Sequence, residues 1–212
     1  MTNRNKGILV SVLCIVISLL PFAIGLILYD KLPDQLPIHY SIAGEADAYA
    51  NKMLSISLLP GICAGLALIL AVALHSFMEK SPKVFASILF IWPLLSCSLQ
   101  GMMLIEAFGY PINDMTITMI LIGIIFAGLG NVIPTVRPNG WIGVRFPWIM
   151  DDEDAWNKTQ RFTGMLMVLL GILFLIEAFA MIGGTSGAVA LLLCGTVILV
   201  VVAGIYSYAV SR

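Results

Sequence analysis

The chain is predicted to be an all-α polytopic membrane protein with six transmembrane helices. Three observations carry this: a mean hydropathy of +1.01, 60% hydrophobic against 11% charged residues, and apolar runs long enough to cross a bilayer. So few charges leave too little polar surface for a water-soluble globule. Crossing the hydrocarbon takes about 20 apolar residues as a helix, because lipid cannot hydrogen-bond a bare backbone and a helix satisfies its own amides. On that rule the spans fall at 7–29, 54–76, 84–105, 115–136, 161–182 and 187–209.

The first span begins like a secretory leader, with Arg4 and Lys6. Its apolar run is too long for one, however, and no small-x-small cleavage site follows, so it is expected to be retained. Cys14, Cys63, Cys97 and Cys194 each fall within a span, where a thiol serves as a small hydrophobe and not as part of a disulfide or zinc framework. Pro21, Pro60 and Pro93 permit kinks in the first three helices. In the fourth, Asn131 beside Gly123, Gly128 and Gly130 suggests close helix packing with an interhelical hydrogen bond.

Sidedness follows from the basic residues, since short loops rich in Lys and Arg stay in the cytoplasm. With the N-terminus inside, Arg4, Lys6, Lys80, Lys83, Arg137, Arg145, Lys158, Arg161 and Arg212 are cytoplasmic, and only Lys31 and Lys52 lie outside. Both termini are therefore expected in the cytoplasm. The short connections fall near 77–83, 106–114 and 183–186, and the long ones at 30–53 outside and 137–160 inside. Long connections are where function is sought. Each follows the first helix of a three-helix half, 1–112 or 113–212, so the halves share a layout in opposite orientation. "EADAYANK" at 45–52 and "DEDAWNK" at 152–158 also resemble each other. This fits an inverted 3+3 repeat, and it equally fits convergence on a helix start, where acids suit the first turn and an aromatic then Lys suits the interface.

The inner stretch "GWIGVRFPWIMDDEDAWNKTQRF", 140–162, gathers seven charges among three tryptophans. Pro147 and an N-cap at Asp151 predict a helix start, with Asp152, Glu153 and Asp154 at its positive end and Asp154 four residues before Lys158. Continued to 182, that helix measures about 48 Å, more than a hydrocarbon core of about 30 Å, so its first turns project from the lipid or bend near Gly164. Trp141, Trp148 and Trp156 are placed at headgroup depth. Arg145 is expected to pair with the Asp151–Asp154 acids, the alternatives being a partner's carboxylate or a lipid phosphate.

Ionisable groups within spans are costly and are functional candidates. Glu177 in the fifth span, with Gln100 and Glu106 in the third, belongs toward the outer side; with Asp30, His39, Glu45 and Asp47 above, they form an acidic vestibule suited to a cationic or amine-bearing ligand. The other reading makes Glu177 protonated, or paired with Gln100 or a backbone carbonyl, as helix glue. His39, Glu45 and Asp47 match no standard metal spacing, so no metal is expected. His75 is read as interfacial. Nothing resembles a nucleophile with its base, a phosphate loop or a zincin motif, so neither enzymatic activity, a cofactor nor direct nucleic-acid binding is expected.

"NGWIGVRFPWIMDDEDAWNKTQRFTG", 139–164, resembles the C-terminal signature of the SdpI family, bacterial membrane proteins named for immunity to a secreted sporulation-delaying peptide toxin. The resemblance lies in Asn139, Ile142, Gly143, Arg145, Pro147, Trp148, Glu153, Trp156, Thr159, Arg161 and Gly164. "LPDQLPIHYSIAGEADAYANK", 32–52, is similar to the outer motif of a DUF1648-like segment that often precedes it, through Pro33, Pro37, His39, Gly44, Asp47 and Lys52. Gln160 departs from the family's usual His, and Ile149-Met150-Asp151 replaces a Thr-Leu-Ser-like helix entry; the first puts in doubt any mechanism needing an imidazole there.

The resemblance implies a plasma-membrane immunity and signalling protein that binds or neutralises a secreted peptide toxin, and the outer vestibule read from the residues offers His39, Glu45, Asp47, Gln100, Glu106 and Glu177 for that binding. The resemblance also implies a cytosolic transcriptional repressor recruited through Asn139, Gly143, Arg145, Pro147, Trp148, Glu153, Trp156 and Arg161. The alternative from the residues is a small proton- or ion-coupled secondary transporter, with Glu177 as proton carrier.

Overall fold

The computed structural model describes residues 2–41, 46–110 and 112–212. Six of its helices are long and apolar enough to cross a membrane: α1 (Asn3–Ile27), α2 (Lys52–Ala73), α4 (Pro82–Ala107), α5 (Asp114–Val132, continued by one 3₁₀ turn to Thr135), α6 (Glu153–Ala180) and α7 (Gly184–Val210). They coincide with the expected spans, and the chain is a multi-pass membrane protein. A four-residue helix α3 (Phe77–Lys80) and two strands, β1 (Gln35–Tyr40) and β2 (Ala46–Asn51), complete the fold. The backbone divides into two compact units, Met1–Ile117 and Thr118–Arg212.

In the first unit α1, α2 and α4 pack on one another. Small residues permit the approach: a Cβ on Gly25 would stand 2.9 Å from Ile56, and one on Gly7 2.7 Å from Met78. Pro21 has no N–H to donate to the carbonyl of Ile17, four residues back, and lipid cannot supply one. The Cys97 thiol of α4 fills that place, its Sγ 3.5 Å from Ile17 O, while Ser96 Oγ donates to Ser18 O at 2.6 Å. Cys97 is thus more than a small hydrophobe.

The long connection after α1 contains an antiparallel β-hairpin, where the sequence had suggested only a loop. Gln35 pairs with Asn51, Leu36 with Ala50, Pro37 with Tyr49, His39 with Ala48 and Tyr40 with Ala46, with irregular register around His39. The hairpin is anchored by Leu36, which is buried with Leu32, Ile56, Met103 and Leu104. Asn51 caps α2 by accepting from Leu54 N at 2.9 Å. Lys52 N donates to Asp34 O at 3.0 Å, and the Lys52 ammonium lies 3.4 Å from Asp34 and 4.7 Å above the Tyr29 ring.

In the second unit α5 and α6 touch backbone to backbone. A Cβ on Gly130 would meet Gly164 O at 2.6 Å, and one on Gly171 would meet Ala127 N at 2.7 Å. Gly123 faces Gly171 in the same way, whereas Gly128 opens onto free space and Asn131 is exposed, so the interhelical hydrogen bond expected of Asn131 is not made among the described residues. Gly164 serves contact with α5 and Pro134. Helix α6 begins one residue later than expected: Asp152, not Asp151, is its N-cap, accepting from Ala155 N at 2.9 Å. Its 28 residues measure about 42 Å. Helix α7 packs along α6, with the Phe162 and Tyr206 rings stacked at 4.0 Å.

Candidate functional site

The end of the first unit that carries the hairpin holds a groove of about 350 Å³. Its roof is β1, through Pro37, Ile38, His39 and Tyr40; its walls are Ser55, Leu58, Leu59 and Ile62 of α2 and Leu99, Gln100, Met102 and Met103 of α4. Ser55 Oγ lies within hydrogen-bond distance of the carbonyls of Leu36, Ala50 and Asn51, which fastens the roof to α2. Gln100, only 2% exposed, donates from Nε2 to Ser55 O at 3.1 Å.

Polar groups at the mouth are paired across elements. His39 Nδ1 lies 2.5 Å from Asp47 Oδ1 across the hairpin, both side chains in the open. The Tyr40 hydroxyl donates to Glu106 Oε2 at 2.6 Å, tying β1 to α4. The carboxyl of Asp114, the first residue of α5, neighbours that of Glu106. Burial above all, then the Glu106 carboxylate, lifts the Tyr40 phenol above its usual range, so it remains a donor. Of the expected outer residues, His39 and Asp47 are therefore brought together, Gln100 and His39 line one groove, and Glu106 adjoins it through Tyr40. Glu45 lies outside the described residues. Glu177 belongs to the second unit, where it is 6% exposed and its Oε1 has no hydrogen-bond partner among the described residues.

The connection between α5 and α6 is built differently. Asn139 holds its first turn: Nδ2 donates to Arg137 O at 2.7 Å and Ile142 O at 3.0 Å, while Oδ1 accepts from Trp141 N and Ile142 N at 2.8 Å. Gly143 follows at φ +110°, and a Cβ there would stand 3.0 Å from Gln160 Oε1 and 3.1 Å from Trp156. Gln160, fully buried, clasps Val144, accepting from its N at 3.0 Å and donating to its O at 2.7 Å. Trp156 is also fully buried, with Nε1 donating to Val136 O at 2.8 Å. It is thus a core residue and not at headgroup depth as its sequence neighbourhood suggested.

Past a one-turn 3₁₀ helix at Pro147–Ile149, Trp148 stacks on Phe146 at 5.1 Å, meets Tyr208 edge-on at 5.8 Å, and donates to Ser207 Oγ at 3.0 Å. Arg145 is exposed and donates to Gly140 O; its expected pairing with the Asp151–Asp154 acids is not made among the described residues. The acids serve the start of α6 instead, with Asp152 as cap and Asp154 2.6 Å from Lys158. Pro147, Glu153 and Arg161 are exposed.

This clasped connection lies within a recognised signature, for residues 135–207 match the SdpI/YfhL protein family. Over those residues the chain is similar to that family. Residues 16–64, which include the hairpin, match a domain of unknown function, DUF1648. The Immunity protein SdpI of Bacillus subtilis (strain 168) is 28% identical over 173 residues, covering 80% of this chain and 81% of that protein. No solved structure matches.

Gln160 lies within the matched residues, and its amide meets the donor and the acceptor of one residue, Val144, together. The sequence alone did not point to Tyr40 or Asp114, and it offered Gln160 only as a departure from the family pattern. Tyr40 sits in a short strand with Pro37 and little alternation, and Asp114 reads in sequence only as a helix-starting acid. The described residues contain no group of three or more His, Cys, Asp or Glu arranged to hold a metal.

Proposed function

We propose that this chain is an immunity protein of the bacterial plasma membrane, with its termini in the cytoplasm and its hairpin outside, and that it binds a secreted antimicrobial peptide in the groove beneath that hairpin. The observation that carries the reading is the groove itself: an apolar slot walled by two membrane helices, roofed by β1 and bordered by the Tyr40, Glu106 and Asp114 contacts. The likeness to Immunity protein SdpI supplies the class of ligand, and the crowding of basic residues away from the hairpin supplies the sidedness. Binding, not catalysis, is the activity proposed. Sensitive cells expressing the chain should survive the sporulation-delaying peptide; survival no better than that of cells lacking the chain would refute the immunity reading.

On the inner side the proposal places a cytosolic repressor at the exposed part of the clasped connection, where Arg145, Glu153 and Arg161 reach solvent. Arg145→Ala should then abolish recruitment of the repressor without reducing the amount of protein in the membrane. A second reading, transport, is favoured by one observation: the buried Glu177 with its unpartnered Oε1, the kind of group that carries a proton through a span. If it holds, Glu177→Gln will lose pH-coupled peptide flux in liposomes while retaining peptide binding.

A further inference from the structure

The groove also carries information about the ligand it takes. Its lining is apolar apart from a few groups, and among these Gln100 stands out. It is nine-tenths buried, its Nε2 is committed to Ser55 O, and its Oε1 accepts no hydrogen bond among the described residues. Gln100 lines the groove, so a ligand seated there that brings an N–H can donate to this open acceptor.

Charge supplies the second, independent observation. Around the hairpin, Asp34 is matched by Lys52 and Asp47 by His39. Glu106 and Asp114 have only the Tyr40 hydroxyl and each other, with no cation beside them among the described residues. Glu106 lies three and four residues beyond Met103 and Met102 of the groove wall, one helical turn further along the same face. An apolar slot thus ends at a negatively charged pair lacking a counter-ion.

We propose that the groove takes an apolar side chain of a cationic amphipathic peptide, with a neighbouring ammonium or guanidinium on the Glu106–Asp114 pair and an N–H donor on Gln100 Oε1. This rests on the peptide-binding reading above and names its chemistry. A slot of about 350 Å³ is small for a whole peptide and sits at the lower end of the ~300–1,000 Å³ typical of small-ligand sites, so it holds an anchor residue.

The test uses the purified full chain in nanodiscs of zwitterionic lipid, which offer a cationic peptide no net charge, and two synthetic amphipathic helices, one of Leu and Lys and one of Leu and Glu. The Leu/Lys helix should bind the chain at least about tenfold more tightly, a difference of ~1.4 kcal/mol. Ile62→Trp, which fills the groove from an exposed position, should weaken that binding about tenfold or more, and Gln100→Leu should weaken it to a smaller extent. Glu106→Gln combined with Asp114→Asn should erase the preference for Lys over Glu.

Equal binding of the two helices, or unchanged binding by Ile62→Trp, would overturn the proposal. If Gln100→Leu does not fold, Leu58→Trp, also at an exposed position on the groove wall, repeats the filling test. Survival of cells exposed to the sporulation-delaying peptide separates the two claims. Protection retained by Ile62→Trp overturns the groove as the peptide site and leaves immunity standing, whereas lack of protection by the wild-type chain overturns immunity and leaves Leu/Lys binding measurable.

Discussion

The connection that leads into α6 and the hairpin that leads into α2 are both polar segments following the first helix of a unit, yet they use their polar atoms in opposite ways. In the first, Asn139, Gln160 and Trp156 direct their hydrogen bonds to backbone groups of the connection, and the last two are completely buried. In the second, His39 and Asp47 meet in the open, Gln100 keeps an acceptor unused, and the carboxyls of Glu106 and Asp114 have each other and a tyrosine. The difference teaches that a sequence signature can be mainly architectural. Most of the distinctive residues of the family-matched connection build its shape, while the polar groups in and around the hairpin stay open or meet one another.

Substitutions should separate the two regions by the size of their effect. The largest is expected for Trp156→Ala, which empties a fully buried site and strips Val136 O of its donor; truncations of this kind cost about 3–5 kcal/mol, visible as a large drop in thermal unfolding temperature in detergent. Gly143→Ala comes next, at roughly 1–3 kcal/mol, because the backbone is left-handed there and the new methyl presses on Gln160 and Trp156. A drop at Trp156 smaller than at His39 would break the comparison outright.

In the hairpin region the effects are smaller and pH adds a signature. Tyr40→Phe removes one hydrogen bond to Glu106, worth about 1–2 kcal/mol. The folded-state value of the phenol is raised, so its contribution is complete below the unfolded value of about 10 and is lost as pH climbs through the folded one. The stability gap between wild type and Tyr40→Phe should therefore be flat from pH 7 to 9 and begin to close only above about pH 10; a gap that closes at neutral pH would place another group in control. His39→Ala is expected to change stability by less than about 1 kcal/mol, since its partner is exposed.

How much of this was legible in the sequence depends on the length scale of each signal. Six spans could be read because lipid imposes about 20 apolar residues on every crossing helix, and the helices found coincide with them. The start of α6 was missed by a single residue, as two consecutive aspartates are equally good caps and only geometry selects Asp152. The hairpin was hidden because its strands are six residues each, with Pro37 in one and Ala46, Ala48 and Ala50 in the other, and so give little of the β-branched alternation that marks a strand. The Arg145 pairing failed for a related reason. Nearness in sequence predicts an ion pair only if the chain does not turn between the partners, and Gly140 O reached the guanidinium first. Tyr40, 66 residues from Glu106, could be joined to it only in three dimensions.

Sidedness underlies the whole functional account, and cysteine labelling in intact cells tests it most directly. Tyr49→Cys on the hairpin and Trp141→Cys on the clasped connection both sit at exposed positions, and can be built on a chain whose four native cysteines are replaced by alanine. A maleimide that cannot cross the bilayer is predicted to label position 49 while leaving position 141 unmodified until the cells are opened. Labelling of position 141 in sealed cells, with position 49 protected, would contradict the account.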